Sequence, residues 1–341
     1  MLKKFRRKLF LSIIASFALL ITATSTTYAW FARNVDTWAD EFDVEIENIE
    51  GLLISIDGQR FQSSIQVDGI KKAIVAKKLG LDVNSDELTV DRVDAEFKKI
   101  YFSSVTTKDL NEFQTIDPGV ITDDGYYGMK DASIWHYLEF DLYFRIDSSK
   151  DVATTEQILT FANSFGGRPS YISSIPQAVT VSNKLNAGGV IYESGESIAV
   201  NPKDAMRIGV KVHDETLNDV VYEPNYGLGS VAIEGILDDT NLTETDHVKY
   251  DPERNAMLTY FNNSNRGNLK PIAFDDREFF INTEKDFDGT KVLGRFIPNE
   301  DNTKYSDVHI TVYIWLEGYD ADYFVGISSE DISIFLNFTK M

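Results

Sequence analysis

From Ile134 to Ile146 the side chains alternate without a break. Ile134, His136, Leu138, Phe140, Leu142, Phe144 and Ile146 share one parity, and Trp135, Tyr137, Glu139, Asp141, Tyr143 and Arg145 the other. Alternate side chains of an extended strand point to opposite faces, so this run predicts a long strand with one apolar face. The pattern returns near the other end of the chain. Val308, Ile310, Val312, Ile314 and Leu316 alternate with His309, Thr311, Tyr313 and Trp315, and Ile332, Ile334, Leu336 and Phe338 with Ser333, Phe335 and Asn337. Phe42, Val44 and Ile46 alternate with Asp43, Glu45 and Glu47, and the run 52–56 ends at an Asp57-Gly58 turn signal. Further strands are expected at 88–105, 178–181, 189–192, 198–200, 206–212, 220–222 and 291–298. Residues 106–127, rich in Asp, Gly and Thr, read as a loop.

Helical signals are fewer. Asp68 to Leu81 is the best, with Asp68 as cap, Ile70, Ala73, Ile74 and Val75 as apolar positions, and Gly80 as stop. Thr154 to Asn163 is a shorter candidate. Many strands, few helices and closely spaced turns predict an all-β chain, a β-sandwich or jelly roll with one or two short helices. One elaborated domain over 30–341 is expected, with a subdivision near 150 as the alternative.

Ahead of this domain stands a different kind of segment. Lys3, Lys4, Arg6, Arg7 and Lys8 form a basic head, an apolar run follows from Leu9 to Ile21, and small residues lead to Ala29. That order is a secretory signal peptide, here an apolar signal helix over 1–29, with cleavage between Ala29 and Trp30. The strongly apolar part is about a dozen residues, roughly 18 Å of helix, against roughly 30 Å of bilayer core. The alternative is an uncleaved anchor, which would be the chain's sole membrane attachment. The expected location is extracellular or at the cell surface.

The formal net charge is −21, from 33 basic and 54 acidic residues. Five of the basic residues and no acidic one lie in the first 29, so the exported part is more acidic still. Such a charge argues against nucleic acid and anionic lipid as partners, both of which need a basic footprint. There is no cysteine, hence no thiol nucleophile and no thiolate metal site.

Motifs for catalysis are missing. None of His136, His213, His247 and His309 sits in His-Glu-x-x-His, and there is no Gly-x-Ser-x-Gly or Walker-type loop. His136 reads as a hydrogen-bonded core or edge histidine. Glu139 and Asp141 read as an exposed charged row beside Arg145. No catalytic or cofactor-binding residue is assigned, and the chain does not read as an enzyme. Calcium is the one ion with a sequence signal. Asp82, Asn84 and Asp86 alternate like the start of an EF-type loop, but Glu87 and Val93 stand where that loop needs Gly and Glu. Asp286 and Asp288 form a shorter acidic turn before Gly289. Trp135 and Trp315 could stack against a sugar, although such residues more often pack between sheets.

The junction Thr27-Tyr28-Ala29-Trp30-Phe31, followed by an acidic strand, resembles the start of camelysin/TasA-type exported matrix-fibre proteins of biofilms. The closing Trp315-Leu316-Glu317-Gly318-Tyr319-Asp320-Ala321-Asp322 and the final strand resemble exported proteins of low-GC Gram-positive bacteria. The resemblance implies a jelly-roll subunit, processed by a signal peptidase, whose N-terminal segment adds as a strand to another copy. It does not carry over a metallopeptidase activity, since no zinc motif is present.

The expectation is therefore a bacterial cell-surface or extracellular-matrix structural protein. Its partners would be other copies of itself or cell-surface components, and filaments could form by N-terminal strand donation. A surface adhesin or glycan-binding module is the alternative, and a secreted hydrolase a third.

Overall fold

A computed structural model describes residues 37–38, 43–48, 51–102, 104–107, 109–121, 123, 127–147, 155–162, 169–180, 185–187, 190–223, 283–284, 287, 289–317 and 332–341. The expected signal segment 1–29 and the expected Ala29–Trp30 cut lie outside the described residues.

The long alternating runs are strands, as the sequence predicts, but they do not build an all-β sandwich or jelly roll. Among the described residues the fold is mixed α/β, with two α-helices and open sheets in which parallel and antiparallel pairs coexist. The first half holds β1 (Thr37–Trp38), β2 (Asp43–Asn48), β3 (Leu52–Ser55), β4 (Ser64–Ile65), β5 (Tyr101–Phe102), β6 (Ser104–Thr107), β7 (Phe113–Ile121), β8 (Tyr127–Asp131), β9 (Leu138–Ile146) and β10 (Gln157–Phe161). The second holds β11 (Tyr171–Ser173), β12 (Gln177–Thr180), β13 (Leu185–Ala187), β14 (Val190–Tyr192), β15 (Ser197–Val200), β16 (Met206–Val212), β17 (Val220–Tyr222), β18 (Thr283–Glu284), β19 (Gly294–Phe296), β20 (Val308–Glu317) and β21 (Ser333–Lys340).

In the six-stranded sheet the order is β19-β10-β21-β2-β4, with β11 also on β21. The nine-stranded sheet runs β18-β17-β16-β20-β6-β7-β8, with β9 on β20 and β3 on β9. Neither sheet closes on itself. Among the described residues three pairs are parallel: β2 with β21, β20 with β6, and β17 with β18. Parallel neighbours need long crossovers rather than hairpins, which is why hairpin-style turn reading misjudged the class.

Helix α1 (Val67–Leu79) forms where the sequence places it. Ile70, Ala73, Ile74, Val75 and Ala76 are buried, and Gly80 ends it at φ 64°, its N–H bonded to Ala76 and Lys77 carbonyls. A residue with a Cβ is strained at that angle, so glycine belongs there. Asp68 does not cap; Gln66 holds the cap position without a side-chain bond, and Asp68 sits in the first turn, where a negative charge favours the dipole.

Three local expectations are corrected. Part of 88–105 is helix α2 (Val90–Phe97), because Thr89 caps the Arg92 N–H and Val93 and Phe97, four apart, bury on one face. Within 106–127, β6, β7 and β8 replace the expected loop. Thr107 Oγ1 accepts the Leu110 N–H at 3.0 Å and Asp109 the Asn111 N–H at 2.9 Å, which shapes the turn between β6 and β7. The helical candidate 154–163 contains strand β10, held between β19 and β21 with Leu159 and Phe161 fully buried. Ring contacts between the sheets, Phe144 to Phe338 at 4.8 Å and Phe161 to Tyr222 at 5.0 Å, lie in the main core, which also takes in helix α1. Each such buried ring contributes about 1.5–3 kcal/mol. No helix among the described residues is long and apolar enough to cross a membrane.

Candidate functional site

The second face of the nine-stranded sheet carries the polar residues of the alternating strands. Leu138, Phe140, Leu142 and Phe144 of β9 point into the main core. The opposite parity therefore brings Tyr137, Glu139, Asp141 and Tyr143 to the outer face. The register sets their neighbours: Tyr143 is opposite His309, and Asp141 is opposite Thr311. On the other side of β20, Thr311 is opposite Lys211, and the His213 N–H reaches the His309 carbonyl.

This outer face changes character along the strands. Toward one end Phe113, Tyr137, Tyr313 and Trp315 form a second apolar cluster with Val105, Leu110 and Val221. Gly209 makes the close packing there possible, since a Cβ at that position would lie 2.6 Å from Leu110 Cδ2 and 3.1 Å from the Trp315 ring. Trp315 is buried and its Nε1–H donates to Glu317 at 3.1 Å, so it is not free for a sugar. Trp135 is partly buried against the main core.

Toward the other end the face holds Tyr143, His309 and His213 in a row of stacked rings. Tyr143 lies 4.3 Å from His309 at 9° between planes, and His309 lies 3.8 Å from His213 at 2°. Asp141 sits one rung away. Its Oδ1 accepts the Thr311 hydroxyl at 2.6 Å and lies 3.4 Å from His309 Nε2. Its Oδ2 accepts Lys77 of helix α1 at 2.8 Å, and Lys77 also lies 3.7 Å from Glu139. His213 Nε2 bonds Thr311 Oγ1 at 2.8 Å. The 3.4 Å approach of His309 Nε2 is not a formed hydrogen bond, and this buried nitrogen has no hydrogen-bond partner among the described residues.

The protonation states follow from these contacts. Burial alone would raise the Asp141 carboxyl, but His309, Lys77 and Thr311 outweigh it and hold the group well below the usual carboxylate range. Burial also works against the charge of Lys77, yet the bond to Asp141 and the charges of Asp141 and Glu139 keep its pKa above that of ordinary lysine. The pKa of His213 is lowered, by the partial desolvation of its otherwise exposed ring first and by His309 beside it. A neutral imidazole is the form that offers a lone pair.

Asp141, His213 and His309 each offer one ligand atom, all within 4.8 Å of one another. A cleft of about 190 Å³ borders this group, lined by Ile56, Ala76, Lys77, Leu81, Asp141 and Tyr143 among others. Two imidazoles and a carboxylate form a donor set for first-row transition metals.

The sequence singled out other residues, and the structure keeps them apart from this group. Asp82 lines the same cleft, but its Oδ1 accepts the Asn84 N–H at 2.7 Å, and the Asn84 side chain donates to Asp57 at 3.1 Å. Asp86 is in the turn that follows. Asp286 and Asp288 lie outside the described residues, as does His247. His136 precedes β9 in a turn, with Nε2 2.7 Å from the Tyr101 hydroxyl. Burial, Lys130 and Lys78 push its pKa down to about 4. Arg145 does not join Glu139 and Asp141; it grips Asp307 at 2.8 and 2.6 Å and lies over Phe61.

What the sequence did not reveal was the pairing. His309 lies in one legible strand and His213 directly after another, and His309 shares its outward parity with Thr311. Only the order β16-β20-β9 brings them beside Asp141. Compared with family models, with curated proteins and with solved structures, the chain matches none.

Proposed function

We propose that the chain is an exported cell-surface or extracellular-matrix structural protein that joins copies of itself through its N-terminal strand. The observation that carries this reading is the place of β2. It runs parallel to β21 over six residue pairs and holds β4 on its other side, and its Ile46 is fully buried. Chain order supports the same reading, because β2 precedes every other strand of that sheet. Withdrawal of β2 would uncover the edge of β21, whose N–H and C=O groups then need a partner. A β2 from a second copy satisfies them by strand addition. Donation of this kind is head-to-tail, and it makes open filaments when the rotation does not close. The basic-apolar-small order of 1–29 and the net charge of −21 support export and solubility.

A surface adhesin or glycan-binding module is the second reading. It is favoured by the same strand lying in the sheet of its own chain. Electron microscopy of the chain beginning at Trp30, beside one beginning at Gly51, separates the two. Filaments from the longer chain alone are expected. Single particles from both, across salt concentrations, would overturn strand donation and leave the adhesin.

A further inference from the structure

We propose that Asp141, His213 and His309 bind one divalent transition metal of the Zn²⁺ class on the outer face of the nine-stranded sheet. The site does not depend on filament formation. Its ligands come from β9, from β20 and from the residue after β16, three neighbouring strands in fixed register.

Geometry supplies the first argument. Tetrahedral Zn²⁺ with bonds of about 2.0–2.1 Å places its ligand atoms roughly 3.3 Å apart. Asp141 Oδ1 and His309 Nε2 already stand 3.4 Å apart. The second argument is the unmet demand of His309. Its Nε2 is buried without a hydrogen-bond partner among the described residues, a situation that costs free energy and that native interiors avoid. A metal ion in contact with Asp141 Oδ1 satisfies that nitrogen. Third, the surrounding groups hold the two ligands in place. Lys77 takes the far oxygen of Asp141 and leaves Oδ1 toward the histidines, while Thr311 donates to Oδ1. Tyr143 packs flat on His309 and fixes its ring plane. Such supporting bonds orient ligands in metal sites.

His213 must move. With its ring parallel to His309, the lone pairs of the two rings run in separate planes and cannot meet at one ion. His213 is exposed and follows the last residue of β16, so its ring can leave the stack and exchange Thr311 for the metal. Three protein ligands leave a fourth position, which a water molecule fills. The donor types exclude Ca²⁺ and Mg²⁺ as preferred occupants, since both take oxygen ligands.

Co²⁺, as an optical probe for Zn²⁺, tests the assignment on the full chain. One Co²⁺ per chain should bind with the strong visible bands of tetrahedral coordination, and Zn²⁺ but not Ca²⁺ should displace it. His213→Ala, at an exposed strand end, should leave the thermal unfolding curve of the metal-free chain unchanged. It should weaken binding by at least about 100-fold, the upper range for loss of even a supporting contact. Thr311→Val should weaken it by about 10-fold. In NMR spectra, Zn²⁺ should move the His213 ring protons as they leave the shielding of His309. Co²⁺ binding equal to wild type in His213→Ala, displacement by Ca²⁺, or weak six-coordinate bands would each overturn the proposal.

Discussion

Two charged side chains illustrate how the surroundings of a residue decide its cost. Asp57, in the turn after β3, accepts the Ser55 hydroxyl, the N–H groups of Gln59 and Arg60, and the Arg60 guanidinium. Burial would raise its carboxyl, but these donors prevail and depress it far below the usual range. A depressed carboxylate contributes stability above its unfolded pKa of about 3.9 and loses it as pH falls further. Asp57→Ala should therefore cost about 2 kcal/mol at pH 7, with a smaller difference from wild type at pH 3, as read from urea unfolding. Lys78 is the opposite case. Its Nζ is buried 4.0 Å over the Tyr137 ring, with no hydrogen-bond partner among the described residues. Burial pushes its pKa down to about 7; Lys77 adds to the fall and Glu139 opposes it. The unfolded chain keeps that proton to about pH 10.4, so it binds more protons than the folded one between about 7 and 10.4. Stability should rise across this window by up to about 1.4 kcal/mol per pH unit. Lys78→Met should flatten that rise. A slope unchanged in the variant would show that Lys78 is neutral or solvated in both states.

Elements were legible where one face of a regular period is buried and illegible where partners decide. The alternation at 138–146, 308–317 and 333–340 gave strands at those positions, and the apolar spacing with Gly80 gave helix α1. Helix α2 was missed because 88–105 reads as one strand until the Thr89 cap and the burial of Val93 and Phe97, four apart, mark a helix within it. Strand β10 was missed because Gln157–Phe161 is short and apolar on both sides, a pattern that suits either state until β19 and β21 flank it. The metal-type cluster was illegible for a related reason: each ligand was visible, but strand order is a tertiary fact. At this scale Gly209 is an exacting position. Gly209→Ala drives a methyl into Leu110 and Trp315 and should destabilise by about 1–3 kcal/mol. Leu110→Ala, by removing the atoms in the way, should recover part of that loss in the double variant. Purely additive losses in thermal unfolding would mean that the clash is relieved elsewhere.

For the whole molecule, the excess of acidic residues and the mixed sheets matter most. A net charge of −21 makes the compact state repel itself. Raising NaCl from low concentration to about 0.5 M shortens the screening length below about 10 Å. That should stabilise the fold by about 1 kcal/mol, a rise of roughly 2 °C in melting temperature for a chain of this size. No change with salt would mean that the acidic groups are compensated by local partners. The class itself was misread from sequence because strand count and turn spacing say nothing about direction. A parallel partner such as β2 for β21 leaves no mark in the local pattern of either strand.

That pairing also sets a clock. Asp43 meets Ser333 across some 290 residues, and the six-stranded sheet has β21 at its centre. During synthesis at about 5–20 residues per second, β2 emerges roughly 15–60 s before the strand it pairs with. Throughout that interval the nascent chain cannot complete this sheet, and a contact so distant in sequence forms slowly even afterwards.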